Sequence, residues 1–313
     1  MTDSKPSARA VRFDRYGGPE VYYVADIPVP EPGEGEVVVE IRAAGINPGE
    51  AAIRRGYLHD RLPATFPSGQ GSDLAGVVTA VGPGVDDLVV GDEVAGYSWT
   101  RSSHATHTVV PAAQLVAKPP GLAWEVAGAM FVAGTTALAA VRAAAAQSGE
   151  TLVISAAAGG VGSLATQLAV RRGARVLALA SEANAEWLTT HGAEPVTHGA
   201  GMDERVRAAA GPGGVQALID LFGPEYLDLA VALGVPADRT VTIISFARAA
   251  ELGAIVTGSA EASTRADLAE LIALLATGDL ELPVAATYPL DGVVEAFEEL
   301  EARHTRGKIV LIP

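Results

Sequence analysis

Three glycines crowd into "ISAAAGGVGS", residues 154–163, between an apolar run and a stretch that favours helix. Gly159, Gly160 and Gly162 forgo side chains and lose more chain entropy on folding than other residues would, so the cluster needs a backbone reason. At a strand-to-helix turn that reason is a phosphate group. Bare backbone approaches it closely, and the first-turn N–H groups and the helix dipole point towards it. Set on the dinucleotide fingerprint G-x-G-x-x-G, the stretch reads Ala157-x-Gly159-x-x-Gly162, with alanine at the first glycine. The middle glycine admits a diphosphate and the last lets helix lie against strand. Ala158, Gly159, Gly160, Val161 and Gly162 are therefore the expected diphosphate contacts. Glycines also occur in loops that bind nothing, but this turn follows a strand, opens a helix and begins a strand–helix series.

A second chemical position lies at the end of the next strand. "ARVLALASE" closes on Ser181, where a site for NAD would carry Asp or Glu on the ribose 2′-hydroxyl. A carboxylate there repels a 2′-phosphate, whereas a hydroxyl donates to it. Ser181 thus points to NADP(H), with Glu182 one residue later pulling the other way. Arg171 and Arg172 read as a solvated helix terminus. His104 and His107, in "SSHATHTVV", fall on opposite faces of an extended segment and read as surface polarity. No metal site is expected.

These residues belong to a chain of 313 residues, 49% hydrophobic, with a formal net charge of −15 and no cysteine. The missing thiols exclude disulfides, four-cysteine zinc sites and thiolate nucleophiles. Such an acidic chain repels nucleic-acid backbones, and it has no basic run interleaved with aromatics. It has neither an apolar leader nor a run of membrane-spanning length, so the expectation is a soluble cytoplasmic protein without nucleic-acid or membrane partners.

The elements that must position the site fall into two styles. Up to about residue 120, short β-branched runs such as "EVVVEIRAAGI", "DLAGVVTAVG" and "THTVVPAAQLVAKP" are bounded by Gly, Pro or Asp and predict a mostly antiparallel, barrel-like domain. From "TLVISAAA" onward, apolar strands alternate with helices, which predicts a parallel sheet covered on both faces. The tail returns to the first style with "RADLAELIALLATG", "DGVVEAFEELEAR" and "GKIVLIP". The expected fold is α/β, with residues 1–120 and 262–313 forming one domain interrupted by a doubly wound domain at 121–261.

In "AAGINPGEAAIRRG", "GSDLAGVVTAVGPGV", "GDEVAGY", "VAGTTAL", "AAAGGVG" and "RHTRGKIVLIP", in that order, the chain resembles the medium-chain dehydrogenase/reductase superfamily, in its zinc-free, quinone oxidoreductase-like branch. The resemblance runs over nearly the whole chain. It implies a GroES-like catalytic domain interrupted by a Rossmann domain, the nicotinamide held between them, and a homodimer joined sheet edge to sheet edge. It also implies that Asn47 contacts the nicotinamide side of the site and that Thr136 lies near the nicotinamide. Ser245 and Phe246 would belong to a loop that follows the dinucleotide, and Arg303 and Lys308 would approach its phosphates. Three positions depart from the family pattern: Ala52 where several quinone reductases have tyrosine, Asn184 in place of a lysine, and Gly199 in place of a tyrosine.

The resulting expectation is NADPH-dependent hydride transfer to a quinone or an α,β-unsaturated carbonyl, a small electrophilic substrate. The anion so formed must be stabilised and protonated without zinc. Tyr57 is the candidate donor and Asn47 the orienting amide, with Tyr97 or an ordered water as alternatives. An enoyl-thioester reductase and a non-catalytic dinucleotide-binding protein are the competing readings.

Overall fold

The computed structural model describes residues 7–313, which divide into two compact units. The first contains the chain up to Val132, then Thr264–Thr277 and Val284–Pro313, and the second contains Ala133–Ser263 and Gly278–Pro283.

The chain enters the first unit with β1 (Ser7–Phe13), β2 (Tyr23–Pro28) and β3 (Glu36–Gly45), then α1 (Pro48–Arg54). It continues with β4 (Ser68–Gly69), β5 (Asp73–Val81), β6 (Glu93–Tyr97), β7 (His107–Pro111) and β8 (Leu115–Ala117), and with the short α2 (Trp124–Ala127). The next helix, α3 (Met130–Ala144), carries the chain into the second unit. There it forms β9 (Thr151–Ile154), α4 (Gly160–Arg171), β10 (Arg175–Ala180), α5 (Ala185–Thr190), β11 (Glu194–Thr197), α6 (Met202–Ala210) and β12 (Ala217–Asp220). α7 (Pro224–Leu233), β13 (Thr240–Thr242), α8 (Phe246–Leu252) and β14 (Ile255–Val256) complete that unit's main run. α9 (Arg265–Thr277), β15 (Val284–Pro289), α10 (Val293–Glu301) and β16 (Lys308–Ile312) return to the first.

The first unit is built on a three-stranded sheet, β2-β1-β4, and a seven-stranded sheet ordered β15-β16-β3-β5-β6-β8 with β7 also on β3. All its pairs are antiparallel except β15 with β16. Alternation sends Val37, Val39 and Ile41 of β3 into one core with Leu74, Val94 and Leu115. On α10, Val293, Ala296 and Phe297 recur at helical spacing and cover a second core of Val11, Phe13, Ile46 and Leu311.

In the second unit β11-β10-β9-β12-β13-β14 form one parallel sheet. In chain order this is 3-2-1-4-5-6, the doubly wound arrangement. β9 and β12 are buried at every residue, as strands covered on both faces must be. Val153, Leu177, Leu218, Val206 and Leu229 make one core beneath α6 and α7.

Two boundaries differ from the expected ones. The first unit runs past residue 120 to Val132 because α2 lies on β3: a Cβ on Gly128 would come within 2.3 Å of the Ala43 carbonyl oxygen. Gly278–Pro283 joins the second unit because Gln167 on α4 clamps Glu281, donating to its carbonyl at 2.8 Å and accepting its N–H at 2.8 Å. Among the described residues no helix is long and apolar enough to cross a membrane.

Candidate active and cofactor site

The glycine turn lies at the C-terminal end of β9, in the middle of the parallel sheet, on the edge where such sheets bind ligands. Ser155 hydrogen-bonds through its N–H to Ile219 and Ala157 to Leu179, both at 3.0 Å, so the turn is hung between two neighbouring strands. The backbone then reverses at Ala156, whose φ is +46°. The left-handed position thus falls at Ala156, one residue before the alanine that the fingerprint sets at the first glycine. Gly162 has no space for a side chain: a Cβ would meet the Ala156 carbonyl oxygen at 2.1 Å and the Ala157 Cα at 2.8 Å. Gly159 is different. A Cβ there would touch only the Ala156 oxygen, at 3.3 Å. Gly159, Gly160 and Val161 are part-exposed, while Ala158 and Gly162 are buried. The last glycine therefore serves helix–strand contact, and the backbone at 159–161 stays part-exposed at the start of α4. α4 begins at Gly160, and the first-turn amides of a helix have no acceptor within it.

Ser181 stands exposed directly after β10, its hydroxyl accepting from Asn184 Nδ2 at 3.0 Å. Ser245 follows β13 and is buried, with its Oγ donating to Asp220 at 2.7 Å, while Phe246 opens α8 and is 40% exposed. Thr136 is buried on α3.

The first unit gathers a different set. Asn47 precedes α1, and Glu50, three residues on, accepts its N–H at 2.9 Å. Glu50 also accepts from the Ser72 N–H at 2.8 Å and lies 3.7 Å from His104 Nε2. Asn47 Nδ2 donates to Asp73 at 3.1 Å and more weakly to Glu50 at 3.4 Å. Lys308 Nζ donates to Asn47 Oδ1 at 2.6 Å, to the Ile46 carbonyl at 2.8 Å and to Asp73 at 3.2 Å. The other Asp73 oxygen accepts the Val132 N–H at 2.8 Å. All five side chains are buried. Burial, and then the nearby Asp73 charge, push the Glu50 pKa up to about 7. Burial pushes that of His104 down to about 4, and its Nε2–H donates to the Gly45 carbonyl at 3.2 Å. The cluster can therefore hold or release a proton at Glu50 near neutrality.

Three expectations are corrected by this geometry. Lys308 does not approach phosphates, because its ammonium is consumed by Asp73, Asn47 and Ile46. Asn47 is not an available orienting donor, because both its Nδ2 hydrogens are directed at Asp73 and Glu50. His104 is a buried member of the cluster rather than surface polarity. Tyr57 stands outside the cluster, 74% exposed on the turn after α1. Arg303 is exposed beyond α10, with φ of +60°. Tyr97 is buried and stacked on Phe131 with ring centroids 3.9 Å apart, and burial raises its pKa. Among the described residues no three His, Asp or Glu side chains converge to hold a metal ion.

Glu50, Asp73 and Asp220, in these clusters, are buried acids that sequence reasoning missed. Glu50 carried a weak signal, an acid three residues after Asn47 at a helix start. Asp220 ends the apolar run "VQALID", where a strand meets a turn.

The "Alcohol dehydrogenase GroES-like domain" family matches residues 33–144, and the "Zinc-binding dehydrogenase" family matches 189–311. The chain is 30% identical to a quinone oxidoreductase of Salmonella typhimurium, over 98% of this chain and 100% of that protein. It belongs to the medium-chain dehydrogenase/reductase superfamily, in the quinone oxidoreductase-like branch. Solved structures agree. The Escherichia coli quinone oxidoreductase complexed with NADPH superposes with a TM-score of 0.85 at 28% identity, covering 97% of this chain and all of that one (100%). The quinone oxidoreductase of Coxiella burnetii gives 0.86 at 28% identity, over 98% and 100% of the two chains. This superfamily member is an oxidoreductase of mixed α/β fold, with a GroES-like and a Rossmann-like part.

Proposed function

We propose that this member of the family is an NADPH-dependent reductase that delivers hydride to a quinone or an α,β-unsaturated carbonyl without zinc. The observation that carries the reading is the turn from Ser155 to Gly162. Its open backbone at 159–161, at the start of α4 and in the centre of the parallel sheet, fits a dinucleotide diphosphate. The relative solved with NADPH supports the same cofactor. Ser181 supports NADPH over NADH, because a hydroxyl at the end of β10 accommodates a 2′-phosphate that a carboxylate would repel. The absence of any cysteine supports a zinc-free reaction, since it removes thiolate from the available ligands.

When bound, the cofactor supplies a hydride from its dihydronicotinamide ring. The chain holds and orients. Backbone N–H groups of 160–162 and the α4 dipole grip the diphosphate. Ser181 faces the ribose 2′-substituent, and Thr136 and the Ser245–Phe246 turn serve the nicotinamide end. Arg303 remains a candidate for the phosphates. Tyr57, 74% exposed on the turn after α1, is the proposed proton donor to the reduced substrate. The protein works as a homodimer joined at the β14 edge, where Val256 is 46% exposed.

The test is NADPH oxidation with quinones, alkenals and enoyl-thioesters in parallel, repeated with NADH and with Tyr57→Phe. Turnover of quinones or enones with NADPH, slowed in the variant, is the expected result. A strong preference for thioesters would make the protein an enoyl-thioester reductase. Cofactor binding without turnover would make it a binding protein, and a fully active Tyr57→Phe would remove the tyrosine from the reaction.

A further inference from the structure

Asp220 closes β12 with its side chain fully buried, and no cation pairs with it among the described residues. Five uncharged donors surround it instead. Oδ1 accepts the N–H groups of Phe222 and Gly223, both at 2.9 Å, and the Ser155 hydroxyl at 3.3 Å. Oδ2 accepts the hydroxyls of Thr242 and Ser245, both at 2.7 Å. The donors come from three consecutive strand ends of the sheet. Ser155 immediately precedes the reversal at Ala156, and its Oγ also accepts the Leu221 N–H at 2.8 Å. Thr242 ends β13, and its Oγ1 accepts the N–H groups of Ile244 at 3.2 Å and Ser245 at 3.0 Å, curling residues 242–245 into a turn.

We infer that Asp220 is a positioning residue for dinucleotide binding: one buried carboxylate sets the phosphate turn after β9 and the Ile244–Phe246 turn after β13 in a single arrangement. The inference rests on the nicotinamide-cofactor reading above. Only a group with two acceptor oxygens can do this. An amide at 220 that kept its oxygen towards Phe222 and Gly223 would present N–H to Thr242 and Ser245. Thr242 Oγ1 already accepts two backbone amides, so its lone pairs are filled and the turn must let go.

The experiment is equilibrium titration of wild type, Asp220→Asn, Ser245→Ala and the double variant with two probes, NADPH and 2′,5′-ADP. The second probe carries the adenosine and its 2′-phosphate but lacks the second phosphate of the bridge and the nicotinamide half. Asp220→Asn should weaken NADPH on the order of tenfold or more, as expected for lost hydrogen bonds to a charged group. It should weaken 2′,5′-ADP clearly less, because that probe offers one phosphate to the turn after β9 and nothing to the turn after β13. Ser245→Ala, which retains the carboxylate and its other donors, should weaken NADPH less and spare 2′,5′-ADP. It carries the test if Asp220→Asn does not fold. Added to Asp220→Asn, it should cost little more, because both changes break the same bond. Unchanged NADPH affinity in both single variants, or equal loss of both probes, would overturn the inference, the second result marking a merely structural role. A wild type that fails to bind NADPH would instead overturn the functional reading from which the inference starts.

Discussion

The two compact units both bury acidic side chains, and they accommodate the charge in opposite ways. In the first, Glu50 and Asp73 share the amide of Asn47 and Asp73 pairs with the ammonium of Lys308, so charge is balanced by charge. In the second, Asp220 is held by hydroxyls and backbone N–H groups alone. A charge-balanced cluster fails when one member is removed, because the others are left buried and unpaired. A cage of neutral donors fails by geometry, as strand ends lose their common anchor.

The largest expected effect breaks the first plan. Lys308→Met should lower the unfolding free energy by about 3–5 kcal/mol in denaturant titration, because it strands Asp73 and Glu50 in the core. Asp73→Asn added to it should restore part of the loss. A small loss in the single variant would mean that the ammonium is not what holds the cluster. Gly162→Ala should cost about 3 kcal/mol, since its Cβ would strike backbone rather than a movable side chain. At roughly 2–4 °C per kcal/mol for a large domain, the melting temperature should fall by several degrees or more.

The pH dependence sharpens the contrast. Glu50 ionises at about 4.5 when unfolded and about 7 when folded, so its contribution to stability is full below 4.5 and is lost as pH rises towards 7. His104 ionises at about 6.5 unfolded and about 4 folded, so its contribution is full above 6.5 and is lost as pH falls towards 4. The two slopes oppose each other over the shared window. Glu50→Gln should leave the His104 slope uncompensated, and stability measured across that window should then fall on acidification more steeply than in the wild type. Equal slopes in the two proteins would deny that Glu50 holds a proton in the folded state.

The smallest effect concerns cofactor choice. Ser181→Asp should shift the ratio of NADPH to NADH efficiency towards NADH on the order of tenfold, about the effect of one added repulsion worth 1.4 kcal/mol. An unchanged ratio would separate Ser181 from the ribose.

What could be read from the chain follows the same division. The glycine turn was legible because its parts are contiguous, so local spacing fixes the strand-to-helix turn that the structure shows. The alternation of apolar strands with helices likewise announced the parallel sheet. The buried clusters were not legible. Lys308 and Asp73 are 235 residues apart, and only the register of β16 beside β3 turns that lysine inward. A basic residue at the start of a last strand looks solvated until its neighbours are known. β13 is also shorter than its run "RTVTIISFA" suggests, stopping at Thr242 because that hydroxyl captures the next amides in place of a ladder. α6 went unread, being polar on most of its surface and burying only Val206 and Ala210.

Everything functional depends on the open backbone between Gly159 and Val161 holding a diphosphate. Gly159 isolates this, since its backbone is extended and a Cβ there meets a single atom, the Ala156 carbonyl oxygen at 3.3 Å, a tight contact that a small shift relieves. The direct measurement is calorimetric titration of NADPH into wild type and Gly159→Val, alongside their thermal melts. The account predicts tight binding by the wild type and none detectable by the variant, at closely similar melting temperatures. Equal affinity in the two proteins would contradict it.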